Sequence, residues 1–237
     1  MKTKREESIL DIIRSFEEMA DTILAQLKLL EKYMSSSEDE SKEKIRLELE
    51  ENEYRIDKFE VLLSEKFINS IVLYQPVASD IRKLVAMYRM SINLERVGDM
   101  VINILHSMEN IKNSEEYKAM AGVINTMLLS STSMVECSLL SFINNDDKYA
   151  VWTIKNDEIV DEMNRKLLVN SISRSNLSDR HREMLLSYVD LKSVISNIER
   201  IADHATNIAE ASIYSMQGTD IRHTDLESDL STNTDII

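Results

Sequence analysis

Turn-forming residues are nearly missing from this chain. Three Gly and one Pro in 237 residues leave few places to reverse direction, which excludes sheet architectures made of many short strands and tight turns. A single cysteine, Cys137, excludes an intramolecular disulfide and fits a reducing cytoplasm. On an apolar helical face it reads as a small core residue rather than a nucleophile. No stretch approaches the roughly 18 to 20 uninterrupted apolar residues of a membrane span, and no apolar run stands behind Met1-Lys-Thr-Lys-Arg-Glu-Glu. A soluble, cytoplasmic protein is expected. Basic residues are outnumbered, 28 against 42 acids, and the net charge of −14 repels nucleic-acid phosphates and anionic lipid. There is no Gly-rich phosphate loop, no Ser-His-Asp order and no Cys-x-x-Cys, so catalysis has no obvious instrument.

What is present is the composition of long helices: 13 Met and 30% charged residues. Ile9, Ile13, Phe16, Ala20, Ile23, Leu27 and Leu30 recur at spacings of four and three, the stripe of a helix packed in a bundle, over about 4–34. An acidic, serine-rich turn follows, and a second stripe runs through Ile45, Leu49, Ile56, Phe59 and Leu63 to about Leu73. Pro76 is placed in the first turn of helix 3, whose stripe is Ile81, Val85, Tyr88 and Ile92. Asn113-Ser114-Glu-Glu reads as a capped helix start. Helix 4 carries Ile124, Leu128, Val135, Leu139 and Phe142, and helix 5 runs to about Ser173 with Trp152 as a core residue. Helix 6 extends from about Ser178 to Met216. The expected fold is all-α: two pseudo-symmetric antiparallel three-helix bundles, 4–112 and 113–217, end to end or side by side, with a polar tail at 218–237.

Two stretches tie the halves together. Asn93-Leu-Glu-Arg-Val-Gly-Asp99 returns as Asn197-Ile-Glu-Arg-Ile-Ala-Asp203, an offset of 104 residues. Each copy holds a Glu and an Asp four apart, on one face of a helix. With 42 acids, chance alone supplies about seven such pairs, so a lone pair means nothing. The same offset, however, carries Glu53 and Asp57 onto Asp157 and Asp161. Across an antiparallel hairpin, facing residues have position numbers with a constant sum. Glu53 with Asp99 and Asp57 with Glu95 both give 152, centred on Pro76; Asp157 with Asp203 and Asp161 with Glu199 both give 360, centred near the next expected turn. Each half is therefore expected to gather four carboxylates at one level.

Clustered carboxylates raise one another's pKa and push their helices apart unless a cation or a basic side chain intervenes. An all-oxygen donor set suits Mg²⁺, Mn²⁺, Ca²⁺ or Fe³⁺, and the lack of clustered Cys or His argues against a closed zinc site. Arg96 and Arg200, each beside a motif Glu, are the alternative neutralisers. A di-iron oxidase would need Glu-x-x-His pairs, and none exists. Of the four histidines only His204, beside Asp203, is near enough to be an extra ligand; a solvent-facing role is the simpler expectation.

Three segments carry a family likeness: Gln75-Pro-Val-Ala-Ser-Asp-Ile-Arg82, Leu94-Glu-Arg-Val-Gly-Asp99 and Ile198-Glu-Arg-Ile-Ala-Asp-His-Ala-Thr-Asn-Ile-Ala-Glu210. In these the chain resembles the PhoU family of bacterial phosphate-uptake regulators, over roughly 9–215. The resemblance implies two three-helix bundles related by a pseudo-two-fold. It implies mono- or multinuclear metal clusters, iron or zinc in some members and Mg or Mn in others, at Glu53, Asp57, Glu95, Asp99, Asp157, Asp161, Glu199 and Asp203. It also implies a non-enzymatic, often homodimeric go-between that links a phosphate ABC transporter to a membrane sensor histidine kinase and damps starvation signalling. The copies differ after the last Asp, Met100-Val101 to His106 against His204-Ala205 to Glu210, so the two clusters are expected to differ in occupancy or metal. A relative, the PhoU-like helical domain that partners sodium–phosphate cotransporters, fits the same residues. So does a structural module without metal.

Overall fold

The computed structural model describes residues 3–36, 38–111, 114–173 and 181–222. Six helices follow one another: α1 (Lys4–Ser35), α2 (Asp39–Tyr74), α3 (Ala78–Asn110), α4 (Ser114–Asn144), α5 (Asp147–Ser173) and α6 (His181–Gln217). Among the described residues there is no strand. The first three helices pack on one another, as do the last three, and the two antiparallel bundles lie side by side with α3 along α6 and α1 against α4. One continuous core results, running from Phe16, Ile23 and Leu27 through Leu94 and Val101 to Ile198 and Ile201.

Local chemistry accounts for the helix ends. Thr3 caps α1 in a capping box: its hydroxyl accepts from the Glu6 amide at 3.3 Å, and the Glu6 carboxylate accepts from the Thr3 amide at 2.9 Å. α2 ends on Gln75, held left-handed at φ 43°, a conformation costing a non-glycine residue roughly 1–2 kcal/mol. Pro76 follows and is buried, but it stands outside α3, whose N-cap is Val77. The proline ring clashes with a right-handed helical residue before it, so it ends α2 rather than opening α3. The second bundle's first turn is Asn145-Asp146, where Asp146 accepts from the Lys148 amide at 3.0 Å. Asn113 and the turn expected at 175–178 lie outside the described residues.

Several expectations need correcting. The stripe Ile81, Val85, Tyr88, Ile92 is a half-exposed flank; the core face of α3 is Leu84, Met87, Ser91, Leu94, Val97 and Val101. α3 packs against its own bundle and against α6, so two adjacent stripes are apolar and either satisfies a 3.6-residue rhythm. Tyr88 still contributes, edge-on to Phe67 of α2 with ring centroids 5.7 Å apart. Trp152 is 42% exposed rather than core. Ala150 and Thr153 take the inward positions of α5, and the Thr153 hydroxyl donates to Met134 O of α4 at 3.3 Å. Cys137 is only partly buried, and burial together with Glu136 pushes its thiol pKa up.

The tail is not wholly peripheral. Ile221 packs on Ala150, Ala209 and Ile213, and Asp220 accepts from Arg222 at 2.6 Å and from Arg89 of α3 at 3.3 Å. Residues 223–237 lie outside the described set. One described helix, Tyr117–Asn144, is long and apolar enough by composition to cross a membrane, and half of its most apolar window is buried in the protein. Its apolar side is accounted for by the core of the second bundle.

Candidate metal centre

The candidate acids sit where an amphipathic helix has least freedom, at the border between core and solvent. In the first bundle Leu49, Ile56 and Leu63 pin α2 inward, while Leu94, Val97 and Val101 pin α3. Glu53 and Asp57 are thereby turned toward Glu95 and Asp99. In the second bundle Val160 and Leu167 of α5, with Ile198 and Ile201 of α6, do the same for Asp157, Asp161, Glu199 and Asp203.

Electrostatics shows which acids are brought together. The Glu53 pKa is pushed up to about 7, first by burial, then by Asp99, Asp57 and Glu95, against the relief of a hydrogen bond from Gln26. The Asp157 pKa is pushed up to about 6, again first by burial, then by Asp203, Asp161 and Glu199. Glu95 is raised by burial, then by Asp99, and Glu199 likewise by burial, then by Asp203 and Asp161. Asp203 is raised by burial and by Asp161. All eight acids are thus near enough within their own half to act on one another. Among the described residues, no three His, Cys, Asp or Glu side chains converge tightly enough to form a ready cage.

Sequence reasoning missed four neighbours. Gln26 of α1 is buried, and its amide nitrogen donates to Glu53 Oε2 at 3.0 Å while its own Oε1 lacks a partner. Gly98 is the second: a Cβ there would lie 2.8 Å from Glu53 Oε2, so glycine leaves the space this carboxylate occupies and any side chain would make it shift. The third is Glu60, one further turn along α2, which raises Glu95. The fourth is Thr206, whose hydroxyl is near enough to lower Asp157 without making a well-formed hydrogen bond to it. Thr206 Oγ1 and Asp157 Oδ1 are both buried without a partner. The acid at i+7, Glu60, was readable from spacing; the others required the helices to be assembled.

His204 is not solvent-facing. Its Nδ1 lies 2.9 Å from Asn93 Oδ1 across the α3–α6 junction. Asn93 Nδ2 donates to Arg89 O at 2.8 Å, so Oδ1 must accept and His204 Nδ1 carries the proton. Burial first, then Arg200 and Arg96, push its pKa down to about 4. Arg96 reaches Glu95 at 3.5 Å but remains 54% exposed, and Arg200 acts on Glu199 and Asp203 only through its charge. Neither guanidinium closes its cluster.

The donor set fits a hard cation: oxygen ligands only, an orphaned buried carboxylate oxygen on Asp157, and a glycine that opens the space Glu53 occupies. In the first half Glu53, Asp57, Glu95 and Asp99 would hold it, and in the second Asp157, Asp161, Glu199 and Asp203.

Fold and site together define a class: an all-helical protein of two repeated three-helix bundles, each with an acidic face between its second and third helices. The family model described as "PhoU domain" matches the chain twice, over residues 16–108 and 124–212, and the chain belongs to the PhoU family. It is 30% identical over 174 residues, 73% of each chain, to a "Phosphate-specific transport system accessory protein PhoU homolog" of Burkholderia sp. A protein of the same description from Aquifex aeolicus (strain VF5) is 30% identical over 217 residues, covering 90% of this chain and 96% of that one. In three dimensions the chain is similar to the crystal structure of PhoU from Pseudomonas aeruginosa, with TM-score 0.72 and 20% identity, over 90% of this chain and 99% of the other.

Proposed function

We propose that this protein is a metal-binding regulator of phosphate uptake. In this reading it is a non-enzymatic cytoplasmic adaptor that works with a phosphate-specific ABC transporter and reports phosphate sufficiency to a sensor kinase. Membership of the PhoU family, with relatives named as accessory proteins of that transport system, supports the pathway. The observation that carries the metal is the pair of four-carboxylate faces in repeat register, each with one acid raised to about 6 or 7. Such groups ionise at neutral pH at a cost, and a cation removes it.

Elemental analysis of protein purified without chelator is the test. Stoichiometric iron, Mn, Mg or Zn is expected, with the first site's share lost in Asp99→Asn and the second's in Asp203→Asn. Protein that carries no metal and binds none on titration overturns the metal reading. For the adaptor role, deletion should leave a phosphate-starvation reporter on in high phosphate, and the two Asn variants should reproduce that phenotype. A second reading, a metal-free structural module, is favoured by the Arg96–Glu95 ion pair; it expects the Asn variants to change stability alone. Partnership with a sodium–phosphate cotransporter in place of the ABC system would appear as co-purification with that transporter.

A further inference from the structure

Residues 218–222 close a slot that belongs to one half of the repeat only. It lies between α5 and α6, lined by Ala150, Ala209 and Ile213 with Val151, Ile154 and Met216 packed around them, and it is separate from the main core. The offset of 104 sets Arg46, Leu105 and Glu109 at the matching places of the first bundle, where Arg46 reaches Glu109 at 3.9 Å. An ion pair in one half is thus an apolar recess in the other. Ile221 fills the recess and is 5% exposed, while Gly218, Thr219, Asp220 and Arg222 face solvent. The family match ends at residue 212, so this segment is a feature of the chain rather than of the repeat.

Beside the slot α3 presents two guanidinium groups. Arg89 lies 5.0 Å over the Tyr214 ring and donates to Asp220 at 3.3 Å. Arg82 stands against Gly218, where a Cβ would come within 3.4 Å of its Cδ, and its Nε is buried without a partner. The segment satisfies neither group well. Asp220 is held more closely by its own neighbour Arg222, at 2.6 and 2.8 Å, and Gly218 brings no acceptor side chain to Arg82. A buried donor left unpaired costs free energy, and here that cost falls on the closed arrangement.

We propose that 218–222 is a displaceable plug on a docking site for a segment of a partner protein, one that reads acid, any residue, acid, aliphatic. The chain's own segment is the template for this chemistry, with an acid on Arg89 and the next side chain in the slot. In the partner the aliphatic residue replaces Ile221 and the acid before it takes Arg89, undivided because no arginine follows two residues later. The first acid supplies the acceptor that Arg82 lacks. Most of a surface of net charge −14 repels an acidic segment, and the two arginines of α3 direct it to this place. The proposal depends on neither the metal nor the phosphate reading.

Fluorescence anisotropy of a labelled peptide titrated with the full chain tests it. The peptide has the sequence of 216–222 with Gly218→Asp and Arg222→Ser. Wild-type protein should bind it weakly, because the plug competes. Ile221→Gly should bind it at least tenfold more tightly, the effect of withdrawing one buried aliphatic side chain from the competition. Adding Arg89→Gln to that variant should weaken binding, and adding Arg89→Glu should abolish it. Circular dichroism melts check that each variant is folded; the changes lie at the surface and beyond the end of α6. No binding to Ile221→Gly overturns the proposal. So does equal binding to wild type and Ile221→Gly, or binding that survives Arg89→Glu. Protein without metal by elemental analysis would overturn the metal reading and leave this one untouched.

Discussion

The two bundles solve one problem with different parts. In the first, a long acid, Glu53, reaches across to α3 over a glycine and is steadied by Gln26 of α1. In the second, the offset of 104 places Asp157, one methylene shorter, opposite Ala202, which is fully buried. Its neighbouring polar group is Thr206 of α6, where the first bundle has Ile102. Glu60 adds a fifth negative charge beside Glu95, and its counterpart Asn164 instead lowers Glu199. Side-chain length is exchanged for backbone clearance, and a carboxylate for an amide. The first face therefore carries one more carboxylate than the second.

The largest expected effect comes from filling the clearance in one half only. Gly98→Val drives a branched side chain into Glu53, Gln26 and Ile56, and overpacking of this kind costs about 1–3 kcal/mol. Cation binding at the first site should fall while the second is unchanged; calorimetric titration on Asp203→Asn and Asp99→Asn backgrounds separates them. Equal losses at both sites would mean that the halves are coupled rather than independent.

Ionisation gives the next effect. A carboxyl whose folded pKa is raised contributes its stability below the unfolded pKa and loses it as pH climbs through the folded value. For metal-free protein the Glu53 contribution should fade between about 4.5 and 7, and that of Asp157 between about 3.8 and 6. Glu53→Gln should flatten the upper part of a melting-temperature profile, worth about 1–2 kcal/mol after discounting for partial exposure. Asp157→Asn should flatten the lower part. A profile that Glu53→Gln leaves unchanged would show that the first cluster holds no strained acid.

His204 has the opposite sign. With a depressed pKa its contribution is full above about 6.5 and is lost as pH falls toward about 4. The offset of 104 maps it onto Met100, so His204→Met makes the halves alike at this position. Removing the bond to Asn93 should cost about 1 kcal/mol at pH 7, read by chemical denaturation, and should abolish the acid-side slope. The smallest effect belongs to the guanidinium groups. Arg96→Ala and Arg200→Ala should each change stability by less than about 0.5 kcal/mol, as exposed ion pairs do. A larger loss from Arg96→Ala would favour the metal-free module.

Periodicity made the six helices legible because each must bury one stripe, and the repeated acids stood out because they interrupt that stripe at matched positions in both halves. The hairpin sum rule reached all eight acids because it needs only a turn and an antiparallel return. Periodicity failed at α3, where burial against two neighbours makes two stripes apolar, and the core expectation failed at Trp152, beside which Ala150 and Thr153 hold the inward positions of α5.

By itself, then, the sequence determined the helices, their pairing within each bundle and the positions of the acids, since these follow from local spacing along the chain. Only the tertiary structure decided that the bundles lie side by side along α3 and α6, that Gln26 and Gly98 shape one acid face and Thr206 the other, and that His204 is half-buried against Asn93. Those are meetings between residues far apart in the chain. They depend on the distance at which helices pack, which no spacing within a single helix encodes.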